Sequence, residues 1–190
     1  MAELTGRHPD LLRRGEVGLI VVDVQEGFRP VIDRFDEVVR HCGLLVEGFG
    51  LLGAPVLVSE QYPKGLGATV PELESRLPDG TPRIAKTRFS CIGVDEFDAT
   101  VAATGLRRWV VCGIEAHVCV HQTVHDLLAH GHEVSVATDA IGARVEPNRQ
   151  LGLGRCREAG ARATGAEMAL FEMLEGAGTD AFKAISRMVK

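Results

Sequence analysis

Short apolar, β-branched runs alternate along the chain with segments whose apolar residues recur at helical spacing. Val17–Asp23 (VGLIVVD) is apolar without alternation until its last residue, the pattern of a strand buried on both faces. Asp36–Leu52 then carries apolar positions three and four apart and predicts a helix ending near Gly53. Pro55–Ser59 predicts a second strand and Ile84–Lys86 a short third one. Asp95–Thr104 predicts a helix closed by Gly105. Trp109–Gly113 predicts another buried strand, Val118–Ala129 a helix stopped by Gly131, and Glu133–Ala137 a strand. A helix opens at Pro147, Ala161–Thr164 is a last short strand, and Ala166–Leu174 and Asp180–Val189 are closing helices. Strands alternating with helices imply an α/β fold whose parallel sheet is covered on both sides. No repeat or linker divides the chain, so residues 1–190 are read as one domain.

In open sheets of this kind ligands bind beyond the carboxyl ends of the strands. That rule selects the polar residues at strand exits. Asp23 ends the first strand after a wholly apolar run, where a carboxylate needs a partner or an opening to a crevice; the alternative is a helix cap or turn-former. Gln25, two residues on, offers a donor and an acceptor, or is a solvated loop amide. Lys86 leaves the third run and, beside a carboxylate and a thiol, would stabilise a thiolate. Cys119 falls in the first turn of the helix that follows Trp109–Gly113. The helix dipole there is expected to acidify the thiol, and the N–H groups suit an oxyanion. A small buried cysteine at a strand–helix junction is the competing reading.

The remaining chemistry changes the picture less. Of the five cysteines, Cys112 lies in a strand, Cys42 and Cys156 in helical patterns, and Cys91 in a loop open to exposure but without an activating helix terminus. An odd, irregularly spaced set is not a disulfide framework. His117, His121 and His125, four apart, form either a metal-binding stripe or an exposed or subunit-facing one. Asp139 ends another strand and could approach the crevice, but a turn or cap role is the preferred reading. The formal net charge of −5, with no basic tract longer than a pair, gives no reason to expect nucleic acid or an anionic membrane as partner. The first sixteen residues lack the apolar stretch of a secretory leader, and no apolar run is long enough to cross a bilayer. A reduced, cytoplasmic protein is the expectation.

Three segments together carry a resemblance. DVQEGF (23–28), AKTRFS (85–90) and GIEAHVCV (113–120), in that order, resemble the aspartate, lysine and cysteine motifs of the isochorismatase-like cysteine hydrolases. SEQYPKGLGATVPEL (59–73) is similar to the isochorismatase-domain-containing subgroup. The resemblance spans about Val17 to near the C-terminus. It implies a doubly wound three-layer α/β/α sandwich with a mostly parallel sheet and a triad of Asp23, Lys86 and Cys119. It also implies a cis peptide at Ile114–Glu115 and an oxyanion hole from the N–H groups of Glu115 and Cys119. Gln25, Phe28, Tyr62, Phe89 and Glu115 become candidate pocket residues. Nicotinamidases of this family hold a metal through histidines beyond the second strand; here the stretch reads Ser59-Glu60-Gln61-Tyr62-Pro63, so no metal and no cofactor is expected. True isochorismatases cleave a vinyl ether without needing the cysteine. The intact triad implies instead hydrolysis of a small amide or related C–N bond through an acyl-enzyme. The ether chemistry and a silent binding or scaffold role are the alternatives. Relatives associate, and the apolar Ala166–Val189 segment suggests a homo-oligomer, a dimer or larger.

Overall fold

A computed structural model describes residues 6–190; residues 1–5, part of the stretch read as carrying no leader, lie outside the described residues. Six strands, β1 (Val17–Val22), β2 (Val56–Gln61), β3 (Arg83–Lys86), β4 (Arg108–Ile114), β5 (Glu133–Gly142) and β6 (Arg162–Thr164), form one sheet in the order β3-β2-β1-β4-β5-β6. Every pairing is parallel. The helices are α1 (Phe35–Leu51), α2 (Asp95–Thr104), α3 (His121–Ala129), α4 (Glu146–Glu158), α5 (Ala166–Leu174) and α6 (Asp180–Met188), with short helical turns at Pro63–Leu66 and Pro71–Glu74.

Two cores follow from the two-residue period of a strand. In β1, Leu19 and Val21 point into one with α1, α5 and α6, through Val38, Leu45, Leu170 and Ile185. Ile20 and Val22 point into the other with α2, α3 and α4, through Phe97, Val101, Val124 and Cys156. All six residues of β1 are buried, as its unbroken apolar run requires. Full burial of one such aliphatic side chain is worth roughly 1.5–3 kcal/mol. The result is the three-layer α/β/α sandwich expected.

The element bounds agree with the sequence pattern to within a residue or two, with one instructive exception. β5 runs to Gly142, five residues past the expected end. Val111 pairs with Val136 but Gly113 pairs with Ile141, so β5 carries extra residues opposite β4 and bulges. Asp139 sits in that bulge, and both its carboxylate oxygens accept from the Ala166 N–H at 3.0 Å, capping α5.

The strand order reverses between β1 and β4, and such a switch point opens a crevice at the carboxyl ends of the strands. Gly113 makes the close approach there possible. Its φ is +114°, and a Cβ would overlap the Val22 carbonyl oxygen.

Candidate active site

Asp23, Lys86 and Cys119 leave three different strands and meet at this switch point. Asp23 follows β1 in the left-handed region (φ 53°) and is fully buried. Its N–H donates to the Ser59 carbonyl at 3.1 Å. The Ser59 hydroxyl donates to Asp23 Oδ1 at 2.7 Å, and Lys86 Nζ donates to Oδ2 at 2.7 Å. Each carboxylate oxygen thus has a donor, which is what a charge without water requires. Lys86, the last residue of β3, also donates to Gln61 Oε1 at 2.7 Å and to the Phe89 and Arg88 carbonyls at 2.9 and 3.2 Å. Burial alone would pull its pKa down. The Asp23 carboxylate and the neighbouring Cys91 and Cys119 thiols outweigh that, so it lies above the ordinary lysine value.

Cys119 lies in a π-helical turn, Ala116–Val120, that leads into α3. The Glu115 carbonyl accepts from the Val118 and Val120 N–H groups at 3.0 and 3.2 Å, the second an i→i+5 bond. Gly152 of α4 packs on this turn so closely that a Cβ would overlap the Ala116 carbonyl group. The Ile114–Glu115 peptide preceding the turn is cis, as the family motif implies.

The thiol is not acidified at rest, contrary to the expectation drawn from its helix terminus. Burial pushes it up first, the Asp23 carboxylate second, and Lys86 opposes both without prevailing. Cys91, read as open to exposure, is instead fully buried, and its thiol is pushed up to about 11, by burial first and Asp23 next.

Cys119 opens into a cleft of about 430 Å³. Of the residues read as pocket-lining, Phe28, Phe89 and Glu115 line it. Gln25 does not: it is fully buried, donates from Nε2 to the Gln61 and Gly67 carbonyls at 3.0 and 2.6 Å, and accepts the Gln61 N–H at 2.7 Å. It staples the loop after β2. Tyr62 also lies elsewhere. Its N–H donates to the Lys86 carbonyl at 2.8 Å, turning the chain, and it lines a neighbouring cleft of about 560 Å³ with Pro63 and Val94.

Four residues were missed. Ser59 and Gln61 end β2 at the same edge as Asp23, so the strand-exit rule marks them; Gln61 Oε1 sits 4.0 Å from Cys119 Sγ. Val118 lines the cleft beside the cysteine. Arg144 lines it as well, bonded to Glu115 Oε2 through its backbone N at 3.1 Å and its Nε at 3.0 Å. No local sequence signal marks Arg144, which is brought in by the segment after β5.

The histidine stripe is half-buried rather than exposed. His117 Nε2 lies 3.3 Å from Asn148 Nδ2, His125 Nδ1 lies 2.6 Å from the His121 carbonyl, and the His121 and His125 rings meet edge to face. No group of three or more His, Cys, Asp or Glu suited to a metal occurs among the described residues.

The family model for the Isochorismatase domain matches residues 17–168. Isochorismatase domain-containing protein 1 of Danio rerio is 38% identical over 169 residues, covering 88% of this chain; the chain spans 59% of that protein's length. The secreted isochorismatase effector Isc1 of Phytophthora sojae is 38% identical over 176 residues, 90% of this chain and 83% of that one. Among solved structures, the MAR1 ribonuclease of Caenorhabditis elegans superposes with a TM-score of 0.89 at 34% identity, covering 94% of this chain and 92% of the other.

Proposed function

The chain belongs to the isochorismatase family of hydrolases, and from that premise we propose that it hydrolyses a small amide or related C–N bond with Cys119 as nucleophile. The observation that carries this reading is the convergence of a buried thiol, a buried carboxylate and a buried lysine, with Lys86 Nζ 2.7 Å from Asp23 Oδ2. Asp23 takes the thiol proton as sulfur attacks the carbonyl carbon. Lys86 offsets the charge that sulfur carries as its proton leaves and before the carbon–sulfur bond is made. The N–H groups of Glu115 and Cys119 take the developing oxyanion. Collapse breaks the C–N bond, and the leaving nitrogen receives the proton from Asp23. Water, deprotonated by Asp23, then attacks the thioester; the C–S bond breaks, the acid leaves, and Asp23 returns the proton to the Cys119 thiolate.

On this reading Phe28 and Phe89 contact the substrate, while Gln25 and Tyr62 act only by shaping the neighbouring loops. The enzyme needs neither metal nor cofactor and works in the cytoplasm. It self-associates through C-terminal apolar side chains such as the exposed Met168 and Phe171. No helix among the described residues is long and apolar enough to cross a membrane. The nematode relative carries the name ribonuclease, but in this chain a net charge of −5 and a largely apolar cleft favour a small molecule over a polyanion.

The test is a panel of small amides followed by acid quench and intact-protein mass spectrometry. An acyl adduct on Cys119, and at least a thousandfold loss of turnover in Cys119→Ala, are expected. A substrate that leaves no adduct and is still turned over by Cys119→Ala would instead support ether chemistry, and one bound without turnover would support a binding role.

A further inference from the structure

Thr123 lies in α3, one turn after Cys119, and is fully buried, yet no step of the hydrolysis calls on it. Its hydroxyl accepts from the Cys91 N–H at 3.0 Å and donates to the Cys119 carbonyl at 2.8 Å. The two bonds fix each other. A hydroxyl carries one proton, and an N–H that occupies its oxygen turns that proton toward the acceptor in reach. Here the acceptor is the nucleophile's own carbonyl. A threonine bonded to the carbonyl four residues back is common in helices and says little. What sets Thr123 apart is its second partner, which comes from the loop after β3. That loop also supplies the Arg88 and Phe89 carbonyls that accept from Lys86. One buried hydroxyl therefore joins the segment that holds the lysine to the turn that holds the thiol.

The turn needs such a tie. In an α-helix the Cys119 N–H would bond to the Glu115 carbonyl. In this π-helical turn that carbonyl accepts instead from Val118 and Val120, and the His121 N–H reaches back to the Ala116 carbonyl. The pattern steps over the Cys119 N–H, the group assigned above to the oxyanion. Released from the Glu115 carbonyl, that N–H is also no longer aimed by it. Thr123 holds the same residue from its carbonyl side, across the Cα that carries the thiol.

Resting on the hydrolase reading above, we propose that Thr123 is a positioning residue of the reaction, aiming the Cys119 N–H at the oxyanion by anchoring the Cys119 carbonyl to the loop after β3. The thiol itself answers to Asp23 and Lys86. Loss of the Thr123 hydroxyl therefore weakens an attack on a carbonyl more than it weakens an attack that builds no oxyanion.

Two reagents separate these attacks. With p-nitrophenyl acetate the sulfur adds to the carbonyl, an oxyanion forms, and p-nitrophenolate leaves. With iodoacetamide the sulfur displaces iodide from carbon and no oxyanion forms. The quantity to measure is the ratio of the two rate constants at Cys119. The first comes from initial p-nitrophenolate release with the Cys119→Ala rate subtracted, the second from peptide mapping of the alkylated protein. Both reactions need the thiolate, so a change in its ionisation cancels in the ratio. Thr123→Val keeps the shape and loses the hydroxyl; it should lower the ratio about tenfold, a part of the roughly hundredfold or greater loss when an oxyanion donor is removed outright. Thr123→Ala makes the same deletion in a smaller side chain and should lower the ratio as well, whether or not the valine variant folds. Thr123→Ser keeps the hydroxyl and should retain most of the parent ratio. An unchanged ratio in the alanine and valine variants overturns the proposal, as does a serine variant that falls as far as they do. If the parent protein releases p-nitrophenolate no faster than Cys119→Ala, the nucleophile reading itself fails and the positioning role falls with it.

Discussion

Two clusters in this molecule hold a cation by ion pairs, Lys86 to one carboxylate and Arg29 to three, and water separates them. Lys86 and Asp23 are buried, their side chains 1% and 0% exposed, and every nearby acceptor is fixed. Arg29 lies on the surface, bonded to Glu26 through Nε and Nη2 at 3.0 Å, to Asp36 at 3.0 Å and to Glu72 at 2.9 and 3.0 Å, with its guanidinium over the Phe35 ring. By number of ion pairs the surface cluster is the richer, three against one. By consequence it is the poorer, because solvent competes for each of its bonds and salt screens them. In the buried cluster no water substitutes for a lost partner, and the same pairing fixes a carboxylate in the neighbourhood of a thiol.

The sharpest way to break this comparison is a double-mutant cycle on the buried pair. Removing one member leaves the other's charge stranded, at a cost of about 3–5 kcal/mol. Asp23→Asn should fall near the lower end, since Gln61, Phe89 and Arg88 still offer acceptors to Lys86. Lys86→Met should fall near the upper end, leaving the carboxylate with the Ser59 hydroxyl. The double variant should be more stable than Lys86→Met, with a coupling of about 2 kcal/mol by urea unfolding. Strict additivity would mean that the pair is no more coupled than a surface one.

Alkaline pH sharpens it further. Burial, and then Asp23, push the Cys91 thiol from an ordinary 9.0 up to about 11. A group whose pKa is raised by folding binds more protons folded than unfolded between those values, so stability falls as pH rises. Cys91 alone should cost about 2–3 kcal/mol between pH 9 and 11, with nothing lost below pH 9. Lys86, also raised, adds to the loss further up. Thermal melts from pH 8 to 11 should show the decline, and Cys91→Ala should make it shallower by the Cys91 share, the raised Cys112, Cys119 and Cys156 thiols supplying the rest, even if the cavity lowers stability at every pH. An equal slope in the variant would assign the loss elsewhere.

These effects mark where the sequence could be read and where it could not. Periodicity located β1 and β4 because an unbroken apolar run has few other uses, and the strand-exit rule then isolated Asp23 and Lys86. The bulge in β5 was invisible because its extra residues, Thr138 to Ala140, carry no pattern distinct from a strand end. The resting state of Cys119 was misjudged for a different reason. A helix terminus is readable in a sequence, but the desolvation and the neighbouring carboxylate that outweigh it exist only once three strands converge. Gln25 shows the same limit: a polar residue near a site is legible, but whether it faces substrate or staples a loop is decided by partners thirty-six and forty-two residues away.

The smallest expected effect belongs to the surface cluster. Arg29→Gln removes bonds to three carboxylates, yet each of these is at least 46% exposed and can turn to water. The loss should be about 1 kcal/mol at low ionic strength, larger than for a single exposed pair because the three carboxylates are left facing one another. Sodium chloride at about 0.5 M shrinks the Debye length to a few ångströms and should erase most of the difference from the parent protein. The buried cycle should barely respond to the same salt, since ions do not enter where water does not. Melting both sets of variants across a salt series therefore tests the comparison itself. A salt-insensitive Arg29 or a salt-sensitive Lys86–Asp23 coupling would mean that burial is not what separates the two clusters.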